Sequence, residues 1–420
     1  MKTIVLDDDP TGTQSASDVV VLLESSAELI EQALTAADSV YVLTNSRAIP
    51  EDEAVALMRA IRADALATAE RLGEPVQVVL RGDSTLRGHV FTETLVFADD
   101  ASVVLFVPAF PDGGRTTENG VHYVRQGSER VPAHLTEFAA DPVFPFETAV
   151  LVDYVRQKSG RSASTVSLDR VRAGRTADAL LDAPAGSVVL PDAVTNDDIR
   201  LIARGVEAAR ARGANIVVRS ASPLAAALAG VESHGLLPTP LVPEPFPTLV
   251  VCGSHTAGAT AQLALLEAVA GPAIVIPTLS ALDDPRGAGI TTAAVAAQAL
   301  TAIGVATITT ERDRSADHNT LEHGRMVMEA LTSSVRGLLP LAEVVVSKGG
   351  ITSADVARIG LGATRATVLG QVLPGVSVWR LVAADGAERL YVVVPGNVGE
   401  PDALVRVLEA LGFGVGPVAP

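Results

Sequence analysis

Thr3-Ile4-Val5-Leu6-Asp7-Asp8-Asp9-Pro10-Thr11-Gly12-Thr13-Gln14 is the stretch from which the rest of the chain is read. Residues 3–6 form a short apolar run of the kind that makes a buried strand, and the run stops at three consecutive aspartates. Pro10 cannot donate to a sheet ladder and Gly12 is free of a side chain, so the strand ends in a tight polar turn. In open α/β sheets ligands collect at the carboxyl ends of strands. Three adjacent carboxylates repel one another. A metal ion, a hydroxyl to be deprotonated or neighbouring arginines would each offset that repulsion. The alternative is a solvated acidic turn in which Asp9 caps a short helix.

The chain has 420 residues, of which 48% are hydrophobic but only 3% aromatic. Two or three domains are expected at this length, with cores of Ala, Val, Leu and Ile suited to α/β layers. A net charge of −17 argues against a nucleic-acid or anionic-membrane partner. An acidic small molecule is compatible with it, because a few arginines reverse the field locally. Cys252 is the single cysteine, which excludes an intrachain disulfide, and no zinc-type cluster is present. No apolar run reaches the ~20 residues of a membrane helix. The N-terminal residues meet Asp7 before a signal-peptide core can form. A soluble, cytoplasmic protein is the expectation, with its oligomeric state left open.

Working outward, strands are expected over 3–6, 39–43, 76–81, 102–107, 187–190 and 215–218, with helical patterns such as 51–72 and 197–212 between them. This alternation predicts βαβ units and a mainly parallel sheet. Pro238, Pro240, Pro243, Pro245 and Pro247 then form an extended linker. Beyond it the alternation restarts. Strands are expected over 248–251, 273–276, 305–309, 343–347, 364–369, 378–382 and 390–394. Helices are expected over 257–269, 289–303, 319–337, from about 353, and over 400–411. The predicted organisation is two α/β domains, 1–235 and 248–420, joined by a linker over 236–247.

Three further strand ends carry chemistry. Arg81-Gly82-Asp83-Ser84-Thr85-Leu86-Arg87-Gly88-His89 follows a strand and supplies two guanidiniums, a carboxylate and two hydroxyls. Arginine holds carboxylates bidentately, and hydroxyls with Asp83 suit sugar-like OH groups. The ordinary reading is a turn in which Asp83 or Ser84 caps a helix. Pro108 to Gly120 reads as a loop, with Arg115, Thr116 and Thr117 as another anion contact. In the second half, Cys252-Gly253-Ser254, Lys348-Gly349-Gly350-Ile351-Thr352 and Pro395-Gly396-Asn397 each follow a strand. Small residues at successive strand ends let phosphate oxygens approach the backbone, with Lys348 adding charge. Neither a P-loop nor a GxGxxG fingerprint is present. Among the dispersed histidines, His89 and His255 lie beside these segments.

Taken together, these segments resemble the four-carbon acid sugar kinase family. The resemblance rests on Asp8-Asp9-Pro10-Thr11-Gly12, on Asp83-Ser84-Thr85-Leu86-Arg87-Gly88 and on the loop from Pro108 to Gly120. Gly349-Gly350-Ile351-Thr352-Ser353, Leu373-Pro374-Gly375-Val376 and Gly396-Asn397-Val398-Gly399 extend it over essentially the whole chain. The sequence departs from the family pattern at Asp7, Pro10, Gln14, Arg81-Gly82, His89 and Val394-Pro395.

The resemblance implies an N-terminal domain for a small acid sugar, a C-terminal domain for ATP, and phosphoryl transfer across the cleft between them. Asp8, Asp9, Thr11, Gly12, Arg81, Asp83, Ser84, Thr85, Arg87 and Arg115 are expected on the acid-sugar side. Ser254, Lys348, Gly349, Gly350, Ile351, Thr352, Gly396 and Asn397 are expected on the nucleotide side. Arg81 or Arg87 would grip the substrate carboxylate, and one of Asp8 and Asp9 would orient or deprotonate the hydroxyl. The other would reach Mg²⁺, whose ligands the sequence does not identify. The expected reaction is ATP-dependent phosphorylation of a tetronate or 3-oxo-tetronate. A different small hydroxy acid, or a non-catalytic acid-sugar or nucleotide sensor on the same scaffold, is the alternative.

Overall fold

The computed structural model describes residues 1–312, 320–396 and 398–414. The chain divides into two units, Met1–Ala16 with Ser25–Glu232, and Ser17–Glu24 with Ser233–Pro420. In chain order the strands up to the proline-rich stretch are β1 (Lys2–Asp7), β2 (Val19–Leu22), β3 (Ser39–Leu43), β4 (Val76–Arg81), β5 (Val103–Val107), β6 (Arg115–Glu118), β7 (Val121–Gln126), β8 (Glu129–Pro132), β9 (Ala163–Val166), β10 (Val188–Pro191) and β11 (Ile216–Ser220). Those that follow are β12 (Thr248–Cys252), β13 (Ile274–Ile276), β14 (Val305–Thr310), β15 (Val344–Lys348), β16 (Arg365–Leu373), β17 (Val376–Val382) and β18 (Glu388–Val394).

The first unit is built on the strand order β3-β1-β4-β11-β5-β10-β9, with every neighbouring pair parallel. Ile4, Val5, Val40, Tyr41, Val42, Val79, Val104 and Leu105 have no appreciable exposure. Strands covered on both faces read as unbroken apolar runs, which is why they are visible in the sequence. Helix Glu51–Leu72 follows its own signals, with Glu51, Asp52 and Glu53 in the first turn and Arg71 in the last. In register, Asp7 stands opposite Leu43 on one side and Arg81 on the other, and Arg81 stands opposite Ser220. The turns after β1, β3, β4 and β11 therefore leave one edge of the sheet at one level.

Part of the stretch read as a loop over 108–120 is strand. β6 pairs with β7, and β7 with β8, in a separate antiparallel sheet. Asn119 (φ 54°) and Gly120 (φ 73°) make the two-residue turn between them. An Asn-Gly pair between strand-forming residues signals such a hairpin, and here it turns part of the expected loop into strand.

In the second unit β13-β14-β12-β15-β18 are parallel, and β17, β16 and β2 extend the sheet in antiparallel fashion. Cys252 is level with Thr309 and Lys348, and Lys348 with Val394. The chain expected to be wholly in the first domain thus lends Ser17–Glu24 to the second unit. There Leu22 pairs with Arg365 and Val19 with Val368. The amides of Asp18 and Leu23 extend the pairing to the carbonyls of Val368 and Thr364 at 2.9 and 2.8 Å. The proline-rich stretch lies along this unit: Leu237 N–H donates to Gln371 O and Leu241 N–H to Ala410 O, both at 2.7 Å. The helix expected from about 353 begins earlier and runs Gly350–Asp355. The one expected over 319–337 is described as Leu321–Gly337, Asn319 lying outside the described residues.

Candidate active site

At the edge of the first unit's sheet the three aspartates are not solvated. Asp7, Asp8 and Asp9 are each 1% exposed. Asp9 does cap the short 3₁₀ helix Pro10–Ser15, accepting from Thr11 N–H at 2.7 Å and from the Thr11 hydroxyl. Capping and burial occur together here because arginines surround the run. Arg81 Nη1 lies 2.9 Å from Asp7 Oδ1, 3.2 Å from Asp8 Oδ1 and 3.3 Å from Asp9 Oδ1, while its Nη2 donates to Thr11 Oγ1 at 3.1 Å. Arg47 pairs with the Oδ2 atoms of Asp8 (3.6 Å), Asp9 and Asp83 (3.7 Å). Arg219 reaches Asp8 Oδ2 at 3.4 Å and pairs with Glu93 at 2.5 Å. A Cβ on Gly12 would fall 2.0 Å from Asp7 Oδ2, so only glycine lets the turn close over that carboxylate.

The 81–89 segment completes the cluster. Asp83 N–H donates to Asp8 Oδ2 at 3.2 Å, and the Asp83 carboxylate accepts from Thr85 Oγ1 and, at 2.8 Å, from Arg87 Nε. Arg87 also reaches Asp141 at 3.4 Å and lies 5.1 Å over the Phe138 ring. Two buried groups hold the segment from below. Tyr154 Oη donates to Leu86 O at 2.7 Å, and His122 Nε2 donates to Ser84 O at 2.8 Å while its Nδ1 accepts from Thr117 Oγ1 at 3.0 Å.

Burial and charge act in opposite directions in this cluster. Burial pushes the Asp7 carboxyl up to about 7; Arg81 opposes the shift and the neighbouring Asp8 adds to it. Asp83 feels the same desolvation, but the charges of Arg87 and Arg47, with hydrogen bonds from Thr85 and Arg87, hold it well below the carboxylate range. Burial lowers Arg115 to about 10, partly countered by Asp83. Burial likewise takes His122 down to about 4, which keeps it neutral and in the tautomer that supports Ser84.

The second unit presents its glycines on adjacent strands, since β12, β15 and β18 are neighbours. Gly349 takes φ +115°, and a Cβ there would lie 3.1 Å from the Ser254 Cβ. The turns after β12 and β18 are laced together: Thr256 Oγ1 donates to Gly396 O at 2.6 Å, and Gln262 Nε2 to the carbonyls of Val398, Gly399 and Glu400 at 3.0–3.2 Å. Lys348 is fully buried, with its ammonium on Pro395 O (2.6 Å) and Val398 O (3.1 Å). Burial lowers its pKa to about 7. It braces the turn after β18 rather than standing open to a ligand. Thr352 is buried and Ile351 is partly exposed. Asn397 lies outside the described residues.

Two family models match the chain. Residues 3–228 match the model described as a sugar-binding N-terminal domain, and residues 249–404 the one described as a nucleotide-binding C-terminal domain. The chain belongs to the four-carbon acid sugar kinase family. It is 29% identical over 389 residues to a D-threonate kinase of Bordetella bronchiseptica, covering 91% of this chain and 88% of that protein. It is likewise 29% identical over 403 residues to a 3-oxo-tetronate kinase of Methylobacterium radiotolerans, covering 90% and 91%. In fold it is similar to a solved protein of Salmonella typhimurium LT2, with a TM-score of 0.67 at 18% identity over 96% of this chain and 98% of that one.

Of the residues expected on the acid-sugar side of this family member, Asp8, Asp9, Thr11, Gly12, Arg81, Asp83, Thr85 and Arg87 come together in one cluster. Ser84 and Arg115 lie at its margin, Arg115 opening β6 and donating to Gly113 O. Arg47, Arg219 and Glu93 were not anticipated. Arg47 and Arg219 also sit at strand ends, after β3 and within β11, and Asn45-Ser46-Arg47 carries the same polar strand-end signal as the other turns. Nothing local marks Glu93, which lies in helix Val90–Phe97. A resident metal ion does not fit the aspartates. All four carboxylate oxygens of Asp8 and Asp9 already face guanidinium, amide or hydroxyl donors. Among the described residues no cluster of three or more His, Cys, Asp or Glu side chains could hold one. No helix among them is long and apolar enough to cross a membrane.

Proposed function

We propose that this protein is an ATP-dependent kinase that phosphorylates a hydroxyl of a short polyhydroxy carboxylic acid of the tetronate or 3-oxo-tetronate type. The observation that carries the proposal is the Asp/Arg cluster at the strand ends of a sugar-binding domain, in a chain that also has a nucleotide-binding domain. The names of the relatives support the choice of acid.

The exposure of the arginines supports different roles for them. Arg81 and Arg219 are 2% exposed and committed to carboxylates, whereas the side chains of Arg47 and Arg87 are 12% and 19% exposed. Arg47 and Arg87 would take the substrate carboxylate, a planar anion that a guanidinium holds bidentately. Asp9 is spent on Thr11 and its cap. Asp8 has contacts of 3.2–3.6 Å and can exchange one of them for the acceptor hydroxyl, which it would orient. Phosphoryl transfer needs positioning and charge neutralisation more than covalent help, so a weakly basic carboxylate suffices. Ser254, the backbone from Gly349 to Thr352 and Gly396 would border the nucleotide. Magnesium would arrive on the nucleotide phosphates with its own waters and neutralise their charge.

A coupled ADP-release assay over tetronates, 3-oxo-tetronates, glycerate and related acids tests this. One four-carbon acid should release ADP in preference to the others, and Asp8→Asn should lower its kcat about 100-fold, within the usual range for a positioned carboxylate. If no acid elicits ADP, the kinase reading is wrong.

A further inference from the structure

The nucleotide phosphates need a cation, and the lysine expected to supply it is turned inward onto Pro395 and Val398. Arg312 stands at this edge of the second unit's sheet, just beyond the end of β14. Its Nη2 donates to Ser254 O and, at 3.0 Å, to Thr260 Oγ1, and its Nη1 lies 3.4 Å from Thr309 Oγ1. Its Nε is buried and meets no acceptor among the described residues. Among the described residues no carboxylate is in ion-pair range of this guanidinium.

Its surroundings also favour an anion. Thr260 belongs to the first turns of helix Ala257–Ala270, which is capped by Thr256 and has no acidic residue in its first turn. A helix N-terminus carries partial positive charge and disfavours a cation beside it unless an anion is shared between them. Ser254, whose carbonyl Arg312 grips, packs against both glycine turns: Cβ atoms on Gly349 and Gly396 would fall 3.1 and 2.7 Å from its side chain. A full charge is therefore held at the middle of the glycine ridge with nothing described there to balance it.

We propose that Arg312 binds the phosphate chain of the nucleotide while fixing the Ser254 turn. This assignment rests on the reading of the second unit as an ATP site and adds to it a residue outside the glycine motifs. Full-length wild type, Arg312→Gln and Arg312→Lys are titrated calorimetrically with adenosine, AMP, ADP and ATP, and acid KM and unliganded Tm are measured for each. Arg312→Gln should weaken ADP and ATP about tenfold or more, as expected for one lost charge-assisted hydrogen bond, and leave adenosine within about twofold. Arg312→Lys should restore most of the loss, and the acid KM should stay unchanged. Equal weakening of all four ligands with a lowered unliganded Tm would make Arg312 a strut only and overturn the assignment. Unchanged ATP affinity would overturn it as well. A wild type that binds none of the four would instead remove the ATP reading, and this assignment with it.

Discussion

Asp7 differs from Asp8 and Asp9 in what compensates its charge. Asp8 and Asp9 each engage more than one arginine, whereas Asp7 has Arg81 on one oxygen and nothing described on Oδ2 beneath Gly12. Its carboxyl, ordinarily near 3.8, is raised to about 7. The folded chain therefore keeps a proton that the unfolded chain has released. The stability Asp7 contributes is fully present below 3.8 and is lost as the pH rises to about 7. Asp7→Asn keeps an acceptor for Arg81 but does not titrate. Wild type should lose Tm relative to this variant between pH 5 and pH 8. A gap that stays constant over that range would mean Asp7 is already ionised in the fold. The sequence exposed the need for compensation, because three carboxylates in a row demand it. Arg81 meets all three carboxylates, where the sequence suggested a grip on the substrate, and nothing in the sequence singled out Arg47 or Arg219. Asp8 and Arg219 are 211 residues apart in the chain, and no local pattern links them.

At the scale of elements, the glycine-bearing turns were legible because each follows an apolar strand. What was not legible is how tightly they pack. Gly349→Ala would place a Cβ 3.1 Å from the Ser254 Cβ at a φ of +115° that side chains rarely adopt. It should cost about 1–3 kcal/mol of stability. It should also raise the KM for ATP while leaving that for the acid largely unchanged; parallel changes in both would contradict the placement of this turn at the nucleotide. Lys348 shows why residue type alone misleads. A lysine beside two glycines suggests a phosphate contact, but the register that levels Lys348 with Val394 brings the carbonyls beyond β18 within its reach. The 115–126 hairpin was missed for a different reason: its Asn-Gly signal was present, but polar residues in short strands weigh little against turn-forming neighbours.

At the scale of the whole molecule, the chain enters the second unit twice, first for Ser17–Glu24 and then from Ser233 onward. Without the first visit β16 loses its partner over Arg365, Ala366, Thr367 and Val368. An unpaired edge with apolar residues invites self-association. A fragment of residues 233–420 should therefore elute from a sizing column as aggregates, and fusing residues 17–24 to it should shift it toward monomer. A well-behaved monomer without the graft would show that β2 is dispensable. The sequence by itself determined the parallel α/β character, the strand ends where charged and glycine-rich turns gather, and the family, because buried strands and turn motifs are written in consecutive residues. Only the tertiary structure decided which arginines neutralise the aspartates, that Lys348 faces inward and that β2 serves the other unit. Those outcomes depend on register and burial between segments far apart in the chain, where desolvation and pairing are settled by neighbours that no local window contains.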